Sequence, residues 1–217
     1  MKKLIFVFGC LISFSFYGQL AQDYFDQANN NESDWQYQID NYTKGLRINP
    51  VSSEAYYNRG VAYEHLGNYE DAIADYIRAI EIIEQSLDPS LDPIQGLTFS
   101  SIAYVRAYNN KGRLHGILGN YEEAIADCTR AMKIDPNHAS AYYERGLVYG
   151  YLKNYDDAID DFTRAINIES DYANAYYNRG IAKHYAGFDD GCSDLIKANE
   201  LGGVGFVHPD AIKAICD

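Results

Sequence analysis

Positive charge is scarce in this sequence. Its 217 residues include 18 lysines and arginines against 31 aspartates and glutamates, a formal net charge of −13 at pH 7. A chain of this charge repels the phosphate backbone of nucleic acids, which argues against a nucleic-acid partner. The charge favours basic or neutral partners, or serves only to keep the protein soluble.

The motifs that usually carry catalysis are also missing. The sequence has no His-Glu-x-x-His pair, no Cys-x-x-Cys pair and no glycine-rich phosphate loop, and its five histidines stand apart from one another. Paired carboxylates occur at 156–157, 160–161 and 189–190, but they fall near the starts of predicted helices, where negative charge is favourable. We therefore expect no enzymatic activity, no metal and no cofactor.

A long apolar run occurs only at the N-terminus. Lys2 and Lys3 precede apolar residues 4–14, a run too short to span a membrane. This pattern predicts a signal peptide at residues 1–18, a secreted or periplasmic protein and no transmembrane segment in the mature chain. A lipoprotein anchor at Cys10 is the alternative, although Cys10 lies inside the apolar run and not at its end.

One string of six residues recurs along the chain. It reads Ala-Tyr-Tyr-Glu-Arg-Gly at 141–146, Ala-Tyr-Tyr-Asn-Arg-Gly at 55–60 and 175–180, and Ala-Tyr-Asn-Asn-Lys-Gly at 107–112. Gly112, Gly146 and Gly180 are 34 residues apart, whereas Gly60 precedes Gly112 by 52 residues, one period plus an insertion of about 18. A fixed period of this length indicates an array of repeats.

The copy at 139–170 shows how each repeat would fold. Tyr142, Gly146 and Tyr149 share one stripe of a first helix, and Ala158 and Phe162 share one stripe of a second. Small residues at the crossing let two helices approach closely, while aromatic residues fill the flanking grooves. We assign this structural role to Gly60, Ala72, Gly112, Ala124, Gly146, Ala158, Gly180 and Gly191.

This motif resembles the tetratricopeptide repeat, a helix-turn-helix unit with an aromatic residue at position 4, small residues at positions 8 and 20 and alanine at position 27. The resemblance implies an all-α, right-handed solenoid of four clear repeats and one degenerate N-terminal repeat. We place the degenerate repeat at 19–52, because 34–50 aligns with 120–136, and the others at 53–86, 105–138, 139–172 and 173–202. An insertion with an early helix start fills 87–104, and a capping helix fills 203–217.

A cation and an aspartate also recur together. Position 7 of the clear repeats is Arg59, Lys111, Arg145 and Arg179, and position 23 is Asp75, Asp127, Asp161 and Asp194. In the degenerate repeat both change, to Phe25 and Asn41. We predict salt bridges between the helices that set their register.

The resemblance further implies a binding face, because ligands of tetratricopeptide proteins usually contact the first helix of each repeat. Tyrosine offers contact area with a polar tip and asparagine can bond a peptide backbone, which favours a peptide or protein partner. The alternative is that many of these tyrosines pack against one another. The implied residues are Tyr57, Asn58, Val61, Asn109, Asn110, Arg113, Tyr143, Glu144, Leu147, Tyr151, Tyr177, Asn178, Ile181, His184 and Tyr185.

The cysteines complete the prediction. Cys128 falls at a core position of its repeat, whereas Cys192 and Cys216 are predicted to form a disulfide that holds the terminal cap, with two free thiols as the alternative. We expect a non-catalytic adaptor or scaffold that binds a peptide or protein partner in the cell envelope. An accessory subunit of an envelope enzyme and a structural component of an envelope assembly are the alternatives.

Overall fold

The structure, a computed structural model, describes residues 17–31, 33–86 and 100–202 together with Cys216. Within these ranges all extended regular structure is α-helical, which confirms the predicted all-α fold class. The predicted insertion and terminal cap lie largely outside the described residues, as do residues 1–16 of the predicted signal. Among the described helices, none combines the length and the apolar character needed to cross a bilayer.

The helices follow one another with short turns. We number the helical segment 17–29 as α1. The others are α2 (Trp35–Ile48), α3 (Ser53–His65), α4 (Tyr69–Ser86), α5 (Ser100–Ile117), α6 (Tyr121–Ile134), α7 (Ala139–Tyr151), α8 (Tyr155–Ile168), α9 (Ala173–Ala186) and α10 (Gly191–Glu200). The chain forms two compact units, Met1–Ala107 and Tyr108–Asp217, called here the N-terminal and C-terminal units.

The turn inside each repeat closes the first helix in the same way. The backbone N–H groups of Asn68, Asn120 and Asn154 each donate to a carbonyl five residues earlier, in a pattern that satisfies the last carbonyls of a helix. Acidic residues then occupy the first turns of α4, α6 and α8, where they complement the helix dipole. Local turn chemistry thus sets the helix-turn-helix repeat.

In the N-terminal unit, α2 packs on α3 and α3 on α4. Phe25 of α1 is buried with Tyr42 and Leu46 of α2, so the position that carries a cation in other repeats here contributes to an apolar core. Asn41 is buried as well, and its Nδ2 donates to the carbonyl of Tyr37. The joint change to Phe25 and Asn41 therefore replaces an ion pair by apolar packing.

In the C-terminal unit, consecutive helices from α6 to α10 pack in order, and α7 also touches α9, the equivalent helix of the next repeat. The position 8 glycines make close approaches, but mainly to the residue at position 24 of the same repeat. A Cβ on Gly146 would lie 2.8 Å from the ring of Phe162, and one on Gly112 would lie 2.7 Å from Sγ of Cys128.

The same approach recurs at the other glycines. A Cβ on Gly60 would lie 2.8 Å from the ring of Tyr76, and one on Gly180 would lie 2.7 Å from the carbonyl oxygen of Gly191. The alanines at position 20, Ala72, Ala124 and Ala158, are completely buried. Glycine is needed at position 8 because a ring or a backbone carbonyl occupies the space beside it.

Candidate functional site

An open cleft of about 530 Å³ lies between α7, α8 and α9 of the C-terminal unit. Its walls are mainly apolar and aromatic, with one amide and one ammonium group. They are formed by Leu147, Gly150, Tyr151, Lys153, Tyr155, Phe162, Asn178, Ile181, Ala182 and Tyr185. The cleft has the size and lining of a ligand site.

Two neighbouring clefts share walls with it. One, of about 350 Å³, has Leu147 and Tyr151 in common with the main cleft, and it also contains Arg113, Glu144 and Tyr121. The other, of about 420 Å³, shares Lys153 and Tyr155. The three clefts share walls along this unit, and we refer to them together as the groove.

Two tyrosines of the groove are held in place and yet remain exposed. Tyr151 and Tyr185 expose 71% and 64% of their surface. Tyr151 stacks on Tyr121 with ring centroids 6.2 Å apart, and Tyr185 stacks on Tyr155 at 5.5 Å. A ring fixed on one face and open elsewhere offers contact area at a small entropic cost, which suits recognition.

The same stack occurs once more in the N-terminal unit. Trp35 at the start of α2 lies 3.9 Å from His65 at the end of α3, with nearly parallel rings. In all three cases the first residue of one repeat's second helix stacks on the residue at position 13 of the next repeat, which is the last residue of α3 and α7 and the next-to-last residue of α9. Stacked aromatic pairs thus recur in this fold, and the pairs of the C-terminal unit line the groove.

Tyr143 has a different role from these exposed rings. It packs on Phe162 and Tyr172 with centroids 5.9 and 5.0 Å apart, and its hydroxyl oxygen accepts a hydrogen bond of 3.2 Å from Nδ2 of Asn178. Burial raises the pKa of the Tyr143 hydroxyl above its ordinary range and that of Tyr172 to about 12, so both stay neutral. Tyr143 therefore supports the groove from below.

The structure places the other residues of the implied binding face as follows. Leu147, Tyr151, Asn178, Ile181 and Tyr185 meet in the main cleft, and Arg113 and Glu144 meet in its smaller neighbour, with Arg113 Nε and Glu144 Oε1 3.9 Å apart. Tyr177, His184 and Asn110 are partly or fully exposed outside these linings. Asn109 is buried, and its Oδ1 has no hydrogen-bond partner among the described residues.

The N-terminal unit contains the remaining three. Tyr57 packs on Tyr76 with centroids 5.6 Å apart, and Val61 is half-buried. Asn58 lines a small cleft of about 50 Å³ beside Tyr42. This unit therefore offers less open space on the corresponding face than the C-terminal unit does.

Sequence reasoning missed Tyr121, Lys153 and Tyr155, because the implied face was confined to first helices. Tyr121 and Tyr155 begin second helices, and Lys153 lies in a turn. Four of the five second helices begin with an aromatic residue, which was the signal in the sequence that could have revealed them: Trp35, Tyr69, Tyr121 and Tyr155.

The predicted cation and aspartate pairs come together in each clear repeat. Arg59, Arg145 and Arg179 each hold both oxygens of their aspartate, with Nε to Oδ2 at 2.8 Å in all three. The remaining Nη1 of each arginine donates to a threonine on the preceding helix, Thr43, Thr129 or Thr163, at 2.9–3.1 Å. Each arginine therefore ties three helices together.

The pair in the repeat at 105–138 is weaker. Lys111 Nζ lies 2.8 Å from Oδ1 of Asp127, and Oδ2 of that carboxylate has no hydrogen-bond partner among the described residues. His115 Nε2 lies 3.8 Å from it. Burial raises the pKa of Asp127, and Lys111 and His115 oppose that shift only in part.

The structure pairs Cys192 with Cys216 in a disulfide. Cys128 is a buried free thiol whose pKa is raised by burial, as expected of an unreactive core residue. The described ranges contain no cluster of three or more side chains suited to hold a metal ion. The groove, with its mainly apolar and aromatic walls, is the candidate site.

Comparison with known proteins gives a family match. The family model described as "Tetratricopeptide repeat" matches residues 53–86, 105–138 and 139–172. Curated relatives include the Hsp70-Hsp90 organizing protein of Triticum aestivum, 27% identical over 46% of this chain and 14% of its own length, and a DnaJ homolog subfamily C member 7 homolog of Dictyostelium discoideum, 29% identical over 54% of this chain and 18% of its own. The chain thus spans less than a fifth of these two relatives.

Solved structures share the fold. A MamA protein matches with a TM-score of 0.69 at 24% identity, covering 85% of this chain and 92% of its own. YrrB, described as a TPR protein with an unusual peptide-binding site, matches with a TM-score of 0.64 at 20% identity, covering 88% and 89%. These likenesses show the fold alone, and the family model shows that residues 53–86, 105–138 and 139–172 are tetratricopeptide repeats.

Proposed function

We propose that this protein is a non-catalytic adaptor, exported to the cell envelope, that holds a peptide or protein partner in the groove of its C-terminal unit. The observation that carries the proposal is the pair of exposed tyrosines, Tyr151 and Tyr185, each stacked on a second ring beside the main cleft. Exposed aromatic rings beside a concave apolar cleft are typical of binding hot spots.

The polar groups of the cleft suit an extended peptide. Both hydrogen bonds of Asn178 use its Nδ2, to the Tyr143 hydroxyl and the Asn174 carbonyl, so its Oδ1 is left to accept from a ligand N–H. Relatives that carry the same repeats include an organizing protein for two chaperones and a protein described by its peptide-binding site. An adaptor role for this protein is consistent with what the names of these proteins describe.

Capture from envelope extract tests the binding site. We expect immobilised wild-type protein to retain a partner, and a Tyr151→Ala plus Tyr185→Ala variant to bind it at least about tenfold more weakly, as for the loss of hot-spot aromatics. Both side chains are largely exposed, so the variant should keep its fold. A matched control, Tyr37→Ala plus Ile196→Ala, removes two exposed apolar side chains outside the groove.

Equal retention of the partner by the tyrosine variant and the control would contradict a role for the groove. Far-ultraviolet circular dichroism of all three proteins would establish that any loss reflects binding and not unfolding.

Export is a separate element of the proposal. It is supported by the basic and apolar N-terminal residues and by the Cys192–Cys216 pair, since disulfides persist in oxidising compartments. Cell fractionation, followed by alkylation and mass measurement without reductant, tests it. We expect an envelope protein that lacks its N-terminal segment and has one alkylated thiol, Cys128, after denaturation. Cytoplasmic protein with three or four alkylated thiols would contradict export.

A further inference from the structure

One turn of the array departs from its counterparts at a position that needs left-handed backbone. Gly67, Gly119 and Gly187 occupy that position in the other repeats, with φ of 78°, 80° and 85°. In the turn between α7 and α8 the residue is Lys153, with φ of 62°. A residue with a Cβ is strained in this conformation and glycine is not. Strain of this kind points to a functional demand on the side chain.

The side chain of Lys153 lies at the main cleft, where it can contact a bound ligand. It is the only charged residue in the lining of the main cleft, and it also borders the neighbouring cleft, whose lining includes Asp156 and Asp157. It forms no ion pair with any residue that the structure describes. An ammonium group beside three tyrosines and two aliphatic residues complements a ligand that has an apolar body and one negative charge.

The course of the groove indicates how that charge is presented. The main cleft shares Leu147 and Tyr151 with one neighbouring cleft and Lys153 and Tyr155 with the other. An extended chain that follows these shared walls runs past Lys153 and does not end there. The negative group is therefore best supplied by an aspartate or glutamate side chain within an extended segment.

Acidic residues near Lys153 limit the number of such groups. A segment with several carboxylates would be repelled by Asp156 and Asp157 of the neighbouring cleft, whereas one carboxylate in direct contact with Lys153 gains a short-range attraction. At physiological ionic strength charges more than about 8 Å apart are largely screened, so the contact pair dominates.

We propose that Lys153 is a specificity-determining residue: it pairs with a single Asp or Glu side chain of an extended partner segment whose adjacent large apolar residue packs between Tyr151, Ile181 and Tyr185. This proposal rests on the proposed function, because it assumes that the groove binds a peptide. It adds the chemical class of the residue that the groove selects.

A random dodecapeptide library, displayed within a carrier protein so that neither peptide end is free, provides the probe. It is selected in parallel on the wild-type protein and on Lys153→Gly, which has the residue found in the other three turns. We expect the wild type, and not the variant, to enrich peptides with one Asp or Glu beside a large apolar residue. Lys153→Arg, which keeps the positive charge, should enrich the same peptides.

The selected peptide is then synthesised with Glu or with Gln at the acidic position, with both ends blocked. We expect the change to Gln to weaken binding to the wild type about tenfold, the effect of losing one charge-assisted hydrogen bond, and to leave binding to Lys153→Gly unchanged. Equal losses on both proteins, or selected peptides without an acidic residue, would overturn the role of Lys153.

The tyrosine variant distinguishes failure of the proposed binding groove from failure of the proposed role of Lys153. If Tyr151→Ala plus Tyr185→Ala abolishes peptide binding while Lys153→Gly has no effect, the groove binds peptides and only the assignment of Lys153 is wrong. If selected peptides bind the tyrosine variant as well as the wild type, the groove is not the site and both proposals are wrong.

Discussion

The ion pair of the 139–172 repeat and that of the 105–138 repeat occupy equivalent positions but are built differently. Arg145 holds both oxygens of Asp161 and also donates to Thr129, whereas Lys111 holds one oxygen of Asp127. Arginine presents several donors in a rigid fork, and lysine presents a single compact charge. The arginine pair therefore joins three helices, and the lysine pair satisfies its carboxylate only in part.

The residue at position 25 of the preceding repeat also differs between the arginine pairs and the lysine pair. A threonine stands at position 25 of each repeat that precedes an arginine, as Thr43, Thr129 and Thr163. Position 25 of repeat 53–86, which precedes Lys111, is Ile77. The array thus uses lysine at the one junction where the regular period of 34 residues is interrupted by the segment 87–104. Regular stacking and the three-helix arginine contact occur together.

Removal of the aspartate should have the largest effect on stability in both repeats. We expect Asp161→Ala to lower the free energy of unfolding by about 3 kcal/mol, because it leaves a largely buried guanidinium without its partner. Asp127→Ala should cost less, about 2 kcal/mol, because it also leaves a buried cation, Lys111, unpaired but removes a carboxylate that was only partly satisfied. Urea unfolding of both variants measures this, and equal losses would show that the two pairs do not differ.

Exchange of the cations sharpens the comparison further. We expect Arg145→Lys to cost about 1–2 kcal/mol, because it gives up the bond to Thr129 and one bond to Asp161. The reverse change, Lys111→Arg, should alter stability by less than about 0.5 kcal/mol, because no threonine stands at the matching position. If Lys111→Arg stabilises the protein as much as Arg145→Lys destabilises it, the difference in stability comes from the guanidinium bonds to the aspartate alone and not from the bond to a threonine.

The pH dependence of stability tests the partly satisfied carboxylate. Burial raises the pKa of Asp127 above its ordinary value of 3.8, with Lys111 and His115 opposing and Glu123 adding to the shift. A group that binds its proton more tightly in the folded state contributes stability below the unfolded pKa, and that contribution is lost as pH rises through the folded pKa. We therefore expect wild-type stability to fall relative to Asp127→Asn between about pH 3 and pH 7.

Unfolding of the two proteins at several pH values in that window provides the measurement. Asn mimics the protonated carboxyl, so the two should be similar at the acidic end. A wild type that gains stability over Asp127→Asn as pH rises would show that the Lys111 ion pair outweighs burial.

The sequence predicted the fold well because the determinants of the repeat are local. Gly146, Arg145 and Asp161 recur at a spacing that a helix pair requires. The structure confirms the all-α fold class, and the family model matches three of the predicted repeats. The neighbours of each glycine were less predictable. Gly146 lies against the ring of Phe162, and helical periodicity alone does not say which side chain of a facing helix turns toward a gap.

The candidate site could be predicted only in part. The rule for the binding face includes Tyr151, Asn178 and Tyr185, which line the main cleft, but also Tyr143, which packs beneath the cleft, and Asn109, which is buried. A helix position specifies a face, whereas exposure depends on how the next repeat covers that face. Lys153 was missed because it lies in a turn, where helical periodicity carries no information.

Lys153→Gly should have only a small effect on stability, and its sign is informative. Glycine adopts the left-handed backbone of this turn without strain, although it also has more freedom to lose on folding. We expect relief of the strain to prevail and the variant to be more stable by about 0.5–1 kcal/mol. Thermal unfolding checks the sign, with Gly150→Ala, a site in α7 with open space around its Cβ, as a control for the local response of this repeat. A loss of stability would mean that Lys153 stabilises the folded protein itself, and its presence in the turn would then need no partner to explain it.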